Sequence, residues 1–311
     1  MLRGRKRRKM VHREDKLHTE PNVIGVQSVA IIGLGLMGGS LGLALKRYCP
    51  HISVIGYARR AETRTLAMEM GACDAVTDSV ALAVCEADVV VLCTPILEIA
   101  NLVETVRDAL RPGAIVTDVG STKAMLMQQV GALLADRDAC FIGSHPMAGS
   151  ERTGMEAAQE KLYVDAVVIV TPPAGGAYLK QSEIVQELWR AIGARVLVID
   201  AGQHDAIVAS TSHVPHLVAA LLVRAAGRAA DRPGAYCGPG FRDATRIAAG
   251  SEWVWHDIVK SNAASIAASL QDVRADVDMM LDALDRQDFD AIRNLLGEAR
   301  ALREQVVGVR S

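Results

Sequence analysis

Short, continuous runs of Val, Ile, Leu and Ala recur through the first two hundred residues, and helical patterns separate them. The runs are Ser28 to Ile32, Ile52 to Tyr57, Ala87 to Cys93, Ala114 to Val119, Cys140 to Gly143, Ala166 to Val170 and Arg195 to Ile199. Continuous apolar runs mark strands buried on both faces. Their alternation with helices predicts an α/β, Rossmann-type doubly wound, mostly parallel sheet over residues 26–200. Beyond Asp200 only helical periodicities follow, which predicts an all-helical second domain over 201–311.

The longest helical pattern begins near Glu252 and runs to about Leu284. Ile258, Ile266, Leu270, Val273, Val277, Met280 and Leu284 recur at three- and four-residue steps, with Asn262 on the same stripe. One helix of that length would span about 50 Å at 1.5 Å per residue. A domain of this size is hard put to cover it alone, so a homodimer joined through the helical domain is expected, with a stripe buried wholly within one subunit as the plainer alternative.

The first strand runs into Gly33-Leu34-Gly35-Leu36-Met37-Gly38, and a helical pattern starting at Ser40 follows. Strand, Gly-x-Gly-x-x-Gly and helix together are the context for dinucleotide binding. Gly33 allows the tight turn, Gly35 lets the backbone approach a pyrophosphate, and Gly38 lets the helix pack closely on the strand. Leu36 and Met37 complete the turn. In such folds an acid about 20 residues on reads the ribose 2′-hydroxyl; here Ala58-Arg59-Arg60 stands in its place. Arg forks onto phosphate oxygens, so Arg59 and Arg60 favour NADP over NAD.

The chain has 311 residues, is 50% hydrophobic and carries a net charge of −2, enough for two ordinary domains and too neutral for a nucleic-acid binder. Residues 1–25 form a basic tail without the apolar segment of a secretory signal, and we expect it to be disordered. The six cysteines form no Cys-x-x-Cys pair and no zinc-like spacing, so they read as buried thiols in a reducing compartment, with no metal. The apolar stretch from Val29 to Leu45 contains five glycines and is explained by the phosphate turn, so no membrane span and a cytoplasmic location are expected.

Three further segments join the glycine turn: Gly143-Ser144-His145-Pro146-Met147-Ala148-Gly149-Ser150-Glu151, then Ser212-His213-Val214-Pro215-His216-Leu217, then Gly240-Phe241-Arg242-Asp243-Ala244-Thr245-Arg246-Ile247-Ala248. In this order, over roughly residues 28–300, they resemble the prephenate dehydrogenase family, which includes the arogenate and cyclohexadienyl dehydrogenases. The resemblance implies oxidative decarboxylation of prephenate to 4-hydroxyphenylpyruvate in tyrosine synthesis, with hydride transfer to NAD or NADP.

By that resemblance His145, placed just past a strand's carboxyl end, takes the 4-hydroxyl proton as hydride leaves C4, and loss of CO2 from C1 makes the ring aromatic. An ordinary histidine pKa of about 6.5 leaves such a base neutral at pH 7. Ser121 would hydrogen-bond near the base, Thr94-Pro95 would form the nicotinamide-side turn, and Arg246 and His216 would hold carboxylates. Ser150 and Glu151 would lie at the mouth of the site, where Glu151 orders basic partners or receives the ammonium that arogenate has and prephenate lacks. The residues alone leave plainer roles open: Ser121 as a helix N-cap, Pro95 as a strand terminator, Arg246 paired with Asp243, His216 as a core histidine beside Pro215, and His213 as packing. With no regulatory module after residue 311, control by tyrosine would act at the active site.

Two other classes are weighed. A β-hydroxyacid dehydrogenase shares the glycine turn but relies on a Lys-x-x-x-Asn motif, and here Lys260 is followed four residues later by Ala264. A non-catalytic NADP sensor has no use for His145, His216 and Arg246 together.

Overall fold

The computed structural model describes residues 25–149, 152–229 and 233–308. The basic tail up to residue 24, and the candidate contacts Ser150 and Glu151, lie outside the described residues. Two compact units are present. The first comprises residues 25–94, 98–120 and 129–199, and the second comprises 95–97, 121–128 and the chain from Asp200 onward.

From β1 to β6 the chain alternates strand and helix: β1 (Ser28–Ile32), α1 (Leu36–Tyr48), β2 (Ser53–Tyr57), α2 (Ala61–Glu69), β3 (Ala75–Thr77), α3 (Val80–Val84), β4 (Val89–Leu92), α4 (Ile99–Val106), β5 (Ala114–Asp118), α5 (Ala124–Leu134, whose first turn belongs to the second unit) and β6 (Ala139–Phe141). These six strands form a parallel sheet in the order β3-β2-β1-β4-β5-β6. The order reverses between β1 and β4, which is where open α/β sheets bind ligands beyond the strand ends. Val29, Ile31, Val54, Val89, Val91, Leu41 and Leu45 are fully buried there, each stabilising the fold by roughly 1.5–3 kcal/mol.

The remaining strands depart from the single sheet expected. The run from Cys140 to Gly143 is two strands, β6 and β7 (Gly143–Pro146), separated at Ile142. Ile142 N–H still donates to Val116 O, but from Gly143 the chain leaves the large sheet. β7 pairs antiparallel with β8 (Val167–Thr171), and after α6 (Leu179–Ala191) the last strand β9 (Arg195–Val198) pairs parallel with β8. A three-stranded sheet thus stands beside the six-stranded one, because Ser144 N–H is taken by a side chain, Asp118 Oδ1, instead of a neighbouring strand.

The second unit is helical among the described residues: α7 (Ala201–Val208), a π turn over Ala209–His213, α8 (Val214–Gly227), α9 (Pro239–Thr245), a 3-10 turn over Arg246–Ala249, α10 (Glu252–Ser261), α11 (Ala263–Asp285) and α12 (Phe289–Gly308). The span Ala201–Gly227 is long and apolar enough to cross a membrane by length and composition alone. It also carries the buried His204, Asp205, His213 and His216, whose polar contacts belong to this unit's interior.

The long stripe expected as one helix is two, α10 and α11, broken at Asn262, whose φ of −130° leaves the helical region. The Asn262 amide donates to Asp205 O at 2.8 Å and approaches His213 Nδ1 at 3.3 Å. An asparagine that bonds elsewhere competes with the helical backbone, which accounts for the break. Along the stripe Ile266 is buried, and Leu270 and Val273 pack beside it on Ala209 and Val214, whereas Val277 and Leu284 stay half exposed.

Burial pushes the His213 ring down to about 4. The unfolded chain therefore takes up this proton at a higher pH than the folded one. Stability should fall as pH drops from about 6.5 to about 4, by about 2–3 kcal/mol. Thermal denaturation at pH 7.5 and 4.5 checks this: His213→Asn should show a markedly shallower acid dependence than the wild type.

Candidate active site

The turn after β1 shows why glycine is needed there. Gly33 has φ +107°, and its N–H donates to Tyr57 O at 3.0 Å. A Cβ at Gly33 would meet Cys93 O at 2.7 Å, and one at Gly38 would run into the Gly33 carbonyl. Gly35 is the N-cap of α1 and offers no side chain to its free N–H groups, while the space around its Cα is open. An uncapped helix N-terminus behind an open glycine suits a pyrophosphate. At the end of β4 the Thr94 hydroxyl is buried and finds no partner among the described residues, a donor left for a ligand. These features fit a dinucleotide.

Arg59 and Arg60 are exposed, and Arg60 is the N-cap of α2, whose first turn has no side-chain cap. Beneath them Arg64 Nη1 donates to Ala58 O and Arg59 O at 2.8 and 2.9 Å, and its other arm lies 3.5 Å from Asp78. Arg64 thus shapes the loop and leaves Arg59 and Arg60 to face solvent.

His145 lies within β7, opposite Ile169, and is buried at 7% exposure. It is therefore part of a strand rather than of the loop expected after one. Its neighbour Ser144 is held from every side. Asp118, at the end of β5, accepts from Gly120 N–H at 2.8 Å and from Ser144 N–H at 3.0 Å. Ser144 Oγ donates to Asp118 O, lies 3.1 Å from Thr117 Oγ1 and accepts from Trp189 Nε1 at 3.2 Å. Trp189 meets Tyr163 edge-on at 5.2 Å, and the Tyr163 hydroxyl donates to Met37 O at 2.7 Å. One contact path thus runs from the glycine turn to the strand of His145.

In the helical unit Ser121 is not the helix cap. The N–H groups of Lys123 and Ala124, at the start of α5, are accepted by the two oxygens of Asp205 at 2.8 and 2.9 Å. His204 Nδ1 lies 2.7 Å from the same carboxylate. The Ser121 hydroxyl is left without a hydrogen bond among the described residues. His216, on the first turn of α8, is 6% exposed and stacks on Trp255 of α10, with ring centroids 3.5 Å apart and planes 15° apart. Burial pushes its pKa down. Arg246 begins the 3-10 turn that packs on α8, is exposed, and forms no ion pair with Asp243 among the described residues.

The first unit therefore holds Gly33, Gly35, Leu36, Met37, Gly38, Arg59, Arg60, Thr94 and His145, and the second holds Pro95, Ser121, His216 and Arg246. Asp118, Asp205 and Trp255 were not legible as site residues, since each acts across the fold on a partner 26 to 82 positions away. Only Asn262, a polar residue on an apolar stripe, signalled the buried network.

Known proteins give the same picture. Residues 41–198 match the nucleotide-binding domain of prephenate dehydrogenase, and residues 200–298 match its dimerization domain. Cyclohexadienyl dehydrogenase of Zymomonas mobilis is 33% identical over 279 residues, covering 88% of this chain and 94% of that protein. The crystal structure of Aquifex aeolicus prephenate dehydrogenase with hydroxyphenyl propionate and NAD+ superposes with a TM-score of 0.84 at 28% identity, covering 91% of this chain and 99% of that one. Synechocystis arogenate dehydrogenase superposes at 0.79 with 29% identity, covering 90% and 99%. With both of its domains matched in order, and with a parallel sheet followed by a helical unit, the chain belongs to the prephenate dehydrogenase family of NAD-dependent oxidoreductases.

Proposed function

We propose that the protein converts prephenate to 4-hydroxyphenylpyruvate and CO2, with His145 as the base. The observation that carries this reading is the placement of His145 on a strand locked by Asp118, in the same unit as the uncapped glycine turn. When bound, the nicotinamide supplies the hydride acceptor. His145 accepts the proton of the 4-hydroxyl, Ser121 hydrogen-bonds that hydroxyl, and Arg246 and His216 hold the two carboxylates. Thr94 and Pro95 line the nicotinamide side. By the family resemblance Ser150 and Glu151 also serve substrate recognition, but Glu151 by itself does not decide between prephenate and arogenate. Likeness to a cyclohexadienyl dehydrogenase supports a second reading, activity on both substrates; turnover assays with each substrate separate the two. We also place the enzyme in the cytoplasm, in keeping with free cysteines, of which Cys49, Cys73 and Cys140 are buried as expected, whereas Cys93 and Cys237 are partly buried and Cys85 is exposed.

His145→Asn should keep the fold and cofactor binding and lower kcat about 10²–10⁴-fold, the usual contribution of a positioned base. Steady-state kinetics check this, and near-normal turnover would exclude His145 as the base.

For the cofactor we propose NADP over NAD, supported by the two exposed guanidinium groups beside an uncapped helix start. Replacing Arg59 and Arg60 with Ala should raise the KM for NADP far more than for NAD, since only NADP loses charge-assisted phosphate bonds, each contributing about 1.5–3 kcal/mol. A wild-type enzyme with the higher kcat/KM on NAD would sink the proposal.

We further propose a homodimer paired through the helical unit. Val277, Leu281, Leu284, Phe289, Leu296 and Leu302 are all about half exposed or more, and large apolar side chains left exposed along two successive helices suit an interaction surface. Leu270 belongs to the unit's own core, so the test falls on the exposed part of the stripe. Val277→Asp combined with Leu284→Asp should yield monomers or aggregates with weakened prephenate binding and nearly intact cofactor binding. Light scattering showing a fully active wild-type monomer at micromolar concentration would rule the arrangement out.

A further inference from the structure

The second dihedral of a histidine side chain has broad, shallow preferences, so nothing intrinsic sets the plane of the His216 imidazole. That plane matters, because ring N–H groups donate within it. Burial lowers the pKa of His216, which favours the neutral ring with a single N–H. A neutral ring attracts a carboxylate only through that directed bond, so its orientation decides whether the contact forms.

The structure sets the plane by packing. Trp255 lies face to face with His216 at 3.5 Å and 15°, and the edge of His213 closes on the same indole at 6.0 Å and 84°. Gly250 forms the third wall. A Cβ there would stand 2.8 Å from Trp255 Nε1 and 3.0 Å from His216 Cε1, so the stack forms only where that backbone carries no side chain. Gly250 also directly follows the 3-10 turn that begins with Arg246. The backbone that presents Arg246 therefore ends against the ring pair that presents His216.

We propose that Trp255 is a positioning residue for substrate recognition: its indole face, seated against Gly250, holds the His216 ring in the plane from which it meets a substrate carboxylate. The proposal rests on the reading of His216 as a carboxylate contact. Trp255 is taken to act only through His216, so its effect should fall on KM for prephenate and spare kcat.

The test uses the full-length enzyme with prephenate as the probe. Trp255→Leu should raise the prephenate KM about tenfold, the scale of a lost aromatic stack, with kcat within about threefold and cofactor KM unchanged. Trp255→Phe, which keeps an aromatic face, should return KM to within about threefold of wild type. Gly250→Ala keeps both rings but forces them apart, so it should reproduce the Trp255→Leu effect and carries the test if that variant does not fold. In the NMR spectrum the His216 Cε1–H resonance, shielded by the indole, should lose its upfield shift in Trp255→Leu and keep it in Trp255→Phe. His216→Asn separates the two layers of the argument. If it leaves the prephenate KM unchanged, the carboxylate role of His216 fails. If it raises KM while Trp255→Leu and Gly250→Ala do not, only the positioning role of Trp255 fails. An equal loss of kcat, cofactor affinity and melting temperature in both Trp255 variants would reduce Trp255 to a core residue and overturn the proposal.

Discussion

A carboxylate removed from water must find donors inside the protein or destabilise it by several kcal/mol, and two buried aspartates meet that demand in the same way. Asp118 accepts from the backbone N–H groups of Gly120 and Ser144; Asp205 accepts from those of Lys123 and Ala124. Between them they hold both ends of the segment that follows β5, with Ser121 in the middle. The same bonds pull Ser144 out of the large sheet and cap α5. Removing either carboxylate would strand one buried and one partly buried N–H group, the buried one costing about 1–3 kcal/mol.

The nucleotide-binding unit adds a second constraint, the close approach of α1 to the strands beneath it. A Cβ at Gly38 would collide with the Gly33 carbonyl, and one at Gly42 would meet the backbone of Ala72. With α1 seated this closely, its uncapped N-terminus opens at the point where the strand order reverses. From the same helix the Met37 carbonyl receives Tyr163, and Tyr163, Trp189 and Ser144 continue in contact to Asp118. Cofactor turn and base strand are thus parts of one compact unit joined by these contacts, which suits a reaction whose rate depends on close placement of the reacting groups.

The helical unit is organised by polar groups as much as by apolar ones. Asp205, His204, His213 and Asn262 form its buried centre, and the helical path is bent to suit them, by a π turn at Ala209–His213 and a break at Asn262. Irregular turns of this kind cost helical hydrogen bonds and gather at functional sites. Here they deliver His216 to the first turn of α8 against Trp255.

The sequence by itself determined the elements whose cause is local. Apolar runs with helices between them specified a Rossmann-type sheet followed by helices, because the period of buried side chains is a property of each segment alone. The glycine turn and the His145, His216 and Arg246 motifs were legible for a like reason, since their residues are adjacent in the chain. Only the tertiary structure decided that β7 leaves the main sheet, that the long stripe breaks at Asn262, and that Asp205 rather than Ser121 caps α5. It also decided that a tryptophan 39 positions from His216 sets the plane of its ring. Each of these turns on one buried polar group or ring finding a partner far away in sequence, and such pairings exist only once the chain has folded.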